Sequence, residues 1–194
     1  MHRFVDSLAR SLAVLGGITL TGLIVLTCAS VLGRSINSIL HSDALQASLP
    51  DLADALLATG VGPINGDYEI VEAGMAFAIF AFLPLCQLRG AHASVDIFTS
   101  RFSPSAKRVL LCVIELIFAA VLIVFAWQLL LGGMSKYRSG QTTFLLQFPV
   151  WWSYALSIAA AFAAAFVAVY TAVCRVDSVR SGRPPVFDQG EAGS

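Results

Sequence analysis

Three groups of residues in this 194-residue chain have the types and spacing to do chemistry. Glu69 and Glu72 are three apart, so on a helix they share a face and together could bind a cation or meet a partner. Arg89, His92 and Asp96 follow at spacings of three and four, which puts an Arg–Asp or His–Asp pair within reach if the helix continues. One histidine and one carboxylate are too few for a metal site, and no nucleophile stands beside them. A solvated basic loop anchoring a helix end, or a docking contact, is the alternative for that set. Glu115 is the only charge between Val109 and Ser135. It lies seven residues past Arg108, about 10 Å along a helix at 1.5 Å per residue. An acid at that depth is a candidate proton carrier or ion ligand. It is equally a structural group, if its carboxylate reaches the interface or a polar side chain on a neighbouring helix.

These residues belong to, or border, long apolar runs. The chain is 57% hydrophobic and 12% charged, about half the charged fraction of a soluble domain. Lipid accounts for the shortfall, because a charge at the centre of a membrane helix costs at least ~2.5–3.5 kcal/mol. The formal net charge is zero, which argues against nucleic acid as a partner.

About 20 apolar residues cross a bilayer, and four runs qualify. After a short N-terminus (1–10), the first is 11–33, too long for a cleavable signal peptide. Gly16, Gly17 and Gly22 thin it for close helix approach. A polar segment, 34–66, contains a short amphipathic helix starting at Ser48-Leu49-Pro50-Asp51 and stopped by Gly60 and Gly62. The second span, 67–88, starts with three acids where the helix dipole favours them, and Pro84 is expected to kink it. An interfacial loop, 89–105, carries Val95, Phe98 and Phe102 at amphipathic spacing. Ser103-Pro104 then reads as a cap and first-turn proline. The third span, 106–132, is expected to end at Gly132-Gly133. A turn, 133–148, leads to the fourth span, 149–174. Trp151, Trp152 and Tyr154 at one end and Tyr170 at the other fit aromatic belts. Residues 175–194 read as a disordered tail. The chain is thus expected to be an all-α integral membrane protein with four transmembrane helices and short amphipathic interfacial helices in its loops.

Nine of the twelve Lys and Arg fall in the N-terminus, the second loop and the tail; Arg34, Lys136 and Arg138 fall on the opposite side. The positive-inside rule then places both termini in the cytoplasm. Glu69 and Glu72 face outward, a membrane thickness from Arg89, His92 and Asp96, so the two groups cannot form one active site.

Several chemistries lack their residues. There is no glycine-rich phosphate loop and no Ser/His/Asp set. His2, His41 and His92 lie outside the spans, which argues against paired haem ligation. Cys28, Cys86, Cys112 and Cys174 stand singly, without zinc spacing or an outward pair for thiol exchange.

Gly66-x-x-Glu69 at the start of the second span, Arg89-x-x-His92-x-x-x-Asp96 after it, and the charged turn with Pro149 before the fourth resemble the DctQ-like family. These are the small membrane subunits of tripartite ATP-independent periplasmic (TRAP) transporters of the bacterial inner membrane. The resemblance spans roughly 10–175. It implies a large permease subunit driven by a sodium gradient, and a periplasmic binding protein that delivers a solute, commonly an organic acid. The small subunit itself has no enzymatic activity, cofactor or metal, sodium being bound by the large subunit; it braces that subunit. Glu69, Arg89, His92 and Asp96 match the family pattern as structural or contact residues. The segment 35–65 is longer than the family's usual connection, and could cap the outer surface or touch the binding protein. The competing reading is an autonomous proton-coupled exporter, a homo-oligomer with Glu115 as its coupling site.

Overall fold

The computed structural model describes residues 2–48, 50–89 and 103–181. The elements are α1 (His2–Leu40), α2 (Asp43–Ser48), α3 (Pro50–Ala58), α4 (Asp67–Leu88), α5 (Pro104–Ser139) and α6 (Trp151–Ser181). Among the described residues there is no strand, only an isolated bridge between Thr142 and Pro149. α1, α4, α5 and α6 are each long and apolar enough to cross a membrane.

α6 is the hub. Half of its most apolar stretch is buried, against 11–22% for the other three. It packs heavily on α5 and on α4, and α1 packs mainly on α4. The helices therefore stand in a row, α1–α4–α6–α5, rather than in a closed bundle. Composition explains the choice of hub. Ala161, Ala164, Ala165, Ala168 and Ala172 form a stripe on α6 that fits against Ala119, Leu122 and Ala126 of α5. Phe80 and Leu83 of α4 close over the same cluster. Apolar attraction between helices is weak in lipid, so close backbone approach must supply dispersion contact, and alanine permits it. A second cluster joins Val5 and Ala9 of α1, Leu88 of α4 and Val167 of α6.

Glycine does the same between α1 and α4. A Cβ on Gly16 would lie 3.0 Å from that of Ala81. Gly33 is tighter: its added Cβ would sit 2.2 Å from the carbonyl oxygen of Gly62. The polar segment before α4 is thereby laid against the end of α1.

The helices outrun the apolar stretches. At 1.5 Å per residue α1 is ~58 Å long and α5 ~54 Å, against a hydrocarbon core of ~30 Å. Three expectations are corrected. The third helix does not stop at Gly132-Gly133. It runs to Ser139, capped by left-handed Gly140 at φ 61°. The glycines instead admit α6: a Cβ on Gly133 would meet Ile158 at 2.7 Å and Tyr154 at 3.3 Å. The chain after Cys174 continues as helix to Ser181, because the first helix breakers are Gly182 and Pro184 and Ser178 is buried. The polar segment holds two short helices, α2 and α3, where one was expected; Ser48 ends α2. Ser103 caps α5 as its position predicts, its hydroxyl accepting from the Ala106 amide at 3.3 Å. α4 is a single helix through Pro84, whose ring is buried.

These approaches predict a contrast between two glycines of α1. Gly33→Ala should destabilise the protein by about 1–3 kcal/mol through overpacking. Gly17→Ala, with nothing within 4 Å of the new Cβ, should be neutral or stabilising. Unfolding midpoints of the two variants in detergent would check this; equal midpoints would be the adverse result.

Candidate functional site

The polar side chains gather at the two ends of the helix row. At the end where α4 starts, Asp67 ties α4 to α1. The Ser30 hydroxyl donates to Asp67 Oδ2 at 2.5 Å, and Arg34 Nη2 donates to the same oxygen at 3.1 Å. Ser30, fully buried, also accepts the Ile64 amide at 3.3 Å. One hydroxyl thus joins the end of α1, the connecting segment and the first turn of α4.

Glu69 ties α4 to the turn between α5 and α6. Its Oε1 accepts the Leu145 amide at 2.7 Å and its Oε2 accepts the Leu146 amide at 2.9 Å. The turn is narrow: Thr143 N–H donates to Phe148 O at 2.9 Å and Val150 N–H to Gln141 O at 3.0 Å. Leu146 packs where a Cβ on Gly66 would lie, 2.4 Å away, and Gly66 holds φ 80°. Gly66 and Glu69 therefore act together, the glycine making room for the turn whose amides the carboxylate takes up.

Glu72 points elsewhere. It is exposed on the rim of a cavity of about 450 Å³ and makes no hydrogen bond or ion pair among the described residues.

At the other end, Glu115 lies between three helices. The Gln87 side-chain amide of α4 donates to Glu115 Oε2 of α5. The Thr171 hydroxyl of α6 lies 3.2 Å from the same oxygen and 2.9 Å from Ala168 O, and its one proton serves one of them at a time. Glu115, Gln87 and Thr171 are 6%, 1% and 0% exposed, so the carboxylate is buried among its partners. Its depth is also smaller than the distance from Arg108 implies. Arg89 stands two residues past Gln87 and Arg175 four past Thr171, so the cluster lies about one helical turn inside a basic boundary. Glu69 and Gln87 are eighteen residues apart on α4, ~27 Å, close to the hydrocarbon thickness. The Glu69 and Glu115 contacts therefore mark the two edges of the core.

Arg89 follows α4 directly as its exposed C-cap, its amide donating to Leu85 O at 3.0 Å. His92 and Asp96, and the amphipathic stretch 95–102, lie outside the described residues. Among the four described candidates, Glu69, Glu72, Arg89 and Glu115, no hydrogen bond or ion pair joins one to another. Sequence reasoning missed Gln87, Thr171 and the Ser30–Asp67–Arg34 set. Gln87 had a readable signal, as the one amide in the uncharged run 73–88. A lone amide in lipid needs a partner. Among the described residues no three His, Cys, Asp or Glu converge to hold a metal ion.

Four apolar helices joined by polar contacts at both edges of the core define a multi-pass α-helical membrane protein. Residues 52–178 match the family described as "Tripartite ATP-independent periplasmic transporters, DctQ component". The match covers more than half of the chain, which belongs to this family of inner-membrane transporter components. It begins in α3 and so leaves α1 outside, a narrower reach than the motif resemblance. No curated protein and no solved structure matches the chain.

Removing one member of the Glu115 cluster strands the others. Glu115→Ala is expected to cost about 1 kcal/mol, the scale of interhelical hydrogen bonds in membrane proteins. A double-mutant cycle with Gln87→Ala should return a coupling of comparable size. A coupling of zero would show that the contact contributes nothing. Glu69→Ala should free the Leu145 and Leu146 amides, so that their hydrogen exchange rises at least tenfold while amides in mid-α6 are unchanged; unchanged exchange at 145 and 146 would contradict the clamp.

Proposed function

We propose that this chain is the small subunit that braces the large permease of a TRAP transporter, in sodium-driven uptake of an organic acid handed over by a periplasmic binding protein. One observation carries the reading. The acid buried within the spans is spent on holding helices together, while both flanks of the row remain bare apolar surface. α1 is 11% buried over its most apolar stretch, and on α5 Ile117 and Phe125 are more than half exposed. An autonomous exporter needs a reachable coupling group, whereas Glu115 is enclosed by Gln87 and Thr171. A brace needs rigidity and a broad face for its partner.

The Lys and Arg bias supports placing both termini in the cytoplasm. Glu69, Glu72 and the 35–65 segment then face the periplasm, where α2 and α3 are positioned to meet the binding protein. Arg89, with His92 and Asp96, faces the cytoplasm as a contact to the large subunit. Sodium belongs to that subunit, and this chain needs no cofactor.

Coexpressed with the large permease subunit of its own system, the chain should co-purify as a stoichiometric complex. Arg89→Ala should lower the yield of that complex several-fold and leave the order of substrate preference unchanged in whole-system uptake. Proton-coupled export by the chain alone in proteoliposomes, or a changed substrate order in Arg89→Ala, would overturn the proposal.

A further inference from the structure

α4 and α5 meet at the basic end, through Gln87 and Glu115 and through Phe80 and Leu83 on the α5–α6 cluster. Toward the acidic end a cavity of about 450 Å³ opens between them, backed by α6 and roofed by the 143–148 turn. The Glu69 clamp fixes that roof. Glu69, Glu72 and Lys136 stand near the helix ends beneath a roof that includes Phe144 and Phe148, while Leu129 and Ala76 line the walls deeper in. Ser157 lies in the backing helix, 1% exposed, and its Oγ has no hydrogen-bond partner among the described residues. An unpaired buried hydroxyl is a cost that natural proteins seldom leave unmet. Glu72 also lacks a partner among the described residues. Glu69 is engaged by two amides. Lys136 gives one N–H to Gln141 Oε1 at 2.7 Å, which leaves two donors on its ammonium group.

We propose that this cleft binds the headgroup of a phospholipid bearing a primary amine. The Glu72 carboxylate and the Ser157 hydroxyl accept from the ammonium group, the free donors of Lys136 meet the phosphate, and an acyl chain runs along Leu129 and Ala76. The cleft's place favours a lipid over a soluble amine. It lies at the membrane boundary, level with the first turns of α4, and sets two acids and a lysine beside the apolar Leu129, Ala76, Phe144 and Phe148. A primary ammonium suits it better than a quaternary one, because only N–H groups can satisfy both acceptors. The ligand would also join α4 to α5 at the end where they diverge, as Gln87–Glu115 does where they meet.

The test is native mass spectrometry of the full chain released from detergent after titration with dioleoyl phosphatidylethanolamine or dioleoyl phosphatidylcholine. The wild type is expected to retain the ethanolamine lipid at least tenfold better than the choline lipid. Glu72→Gln and Ser157→Ala should each bring the two within about twofold. Ser157→Ala is a safe variant: it deletes a hydroxyl with no partner, so the lipid-free protein should unfold at the same temperature or higher. Equal retention of the two lipids by the wild type, or a preference untouched by both substitutions, overturns the proposal. Displacement of the lipid by soluble phosphoethanolamine at equal concentration would also overturn it, since a free headgroup would then suffice.

Discussion

The carboxylate of Glu115 is the contact on which the arrangement of α4, α5 and α6 depends. Water cannot satisfy a polar group in the hydrocarbon core, so a buried acid has to find its partners in the protein. Gln87 and Thr171 come from the other two helices, so the requirement is met only when all three are assembled in one register. A shift of any helix by one residue would rotate its side chain by about 100° and strand the other two. Packing alone does not specify register so sharply. The alanine stripe of α6 would slide along α5 at small cost, since successive alanines present similar surfaces.

At the opposite edge of the core the same logic uses groups that range from buried Ser30 to exposed Arg34. Ser30, Arg34 and Asp67 fix α1 to α4, and Glu69 fixes the α5–α6 turn to α4. Backbone amides as partners make the second contact insensitive to the side chains of Leu145 and Leu146. Between the two polar edges the helices are held by shape, with glycine between α1 and α4 and alanine between α6 and its neighbours. The row is therefore rigid along the α4–α6–α5 side and bare on its outer surfaces.

Most of the architecture was legible in the sequence. Four long, predominantly apolar runs specify four helices, because lipid tolerates little else. Ser103-Pro104 located the start of α5, since a cap and a first-turn proline are local chemistry. Helix ends were less legible where glycine was read as a stop: Gly133 serves Tyr154 and Ile158, more than twenty residues further along the chain, and no local pattern distinguishes the two uses. The candidate residues divide in the same way. Glu69 and Glu115 could be recognised as unusual from their positions alone. Of their partners only Gln87 carried a sequence signal, because a backbone amide at 145 and a hydroxyl at 171 carry no mark. Arg89 and Glu72 are placed by the fold, and among the described residues neither has a side-chain partner.

That Glu115 holds helices together and moves no ion is tested most directly by Glu115→Gln, which keeps an oxygen to accept from Gln87 and Thr171 but cannot pick up or release a proton, with solute uptake measured in the assembled transporter. The variant should assemble and take up solute at a rate within about twofold of the wild type. A complex that assembles normally and has lost uptake would contradict this.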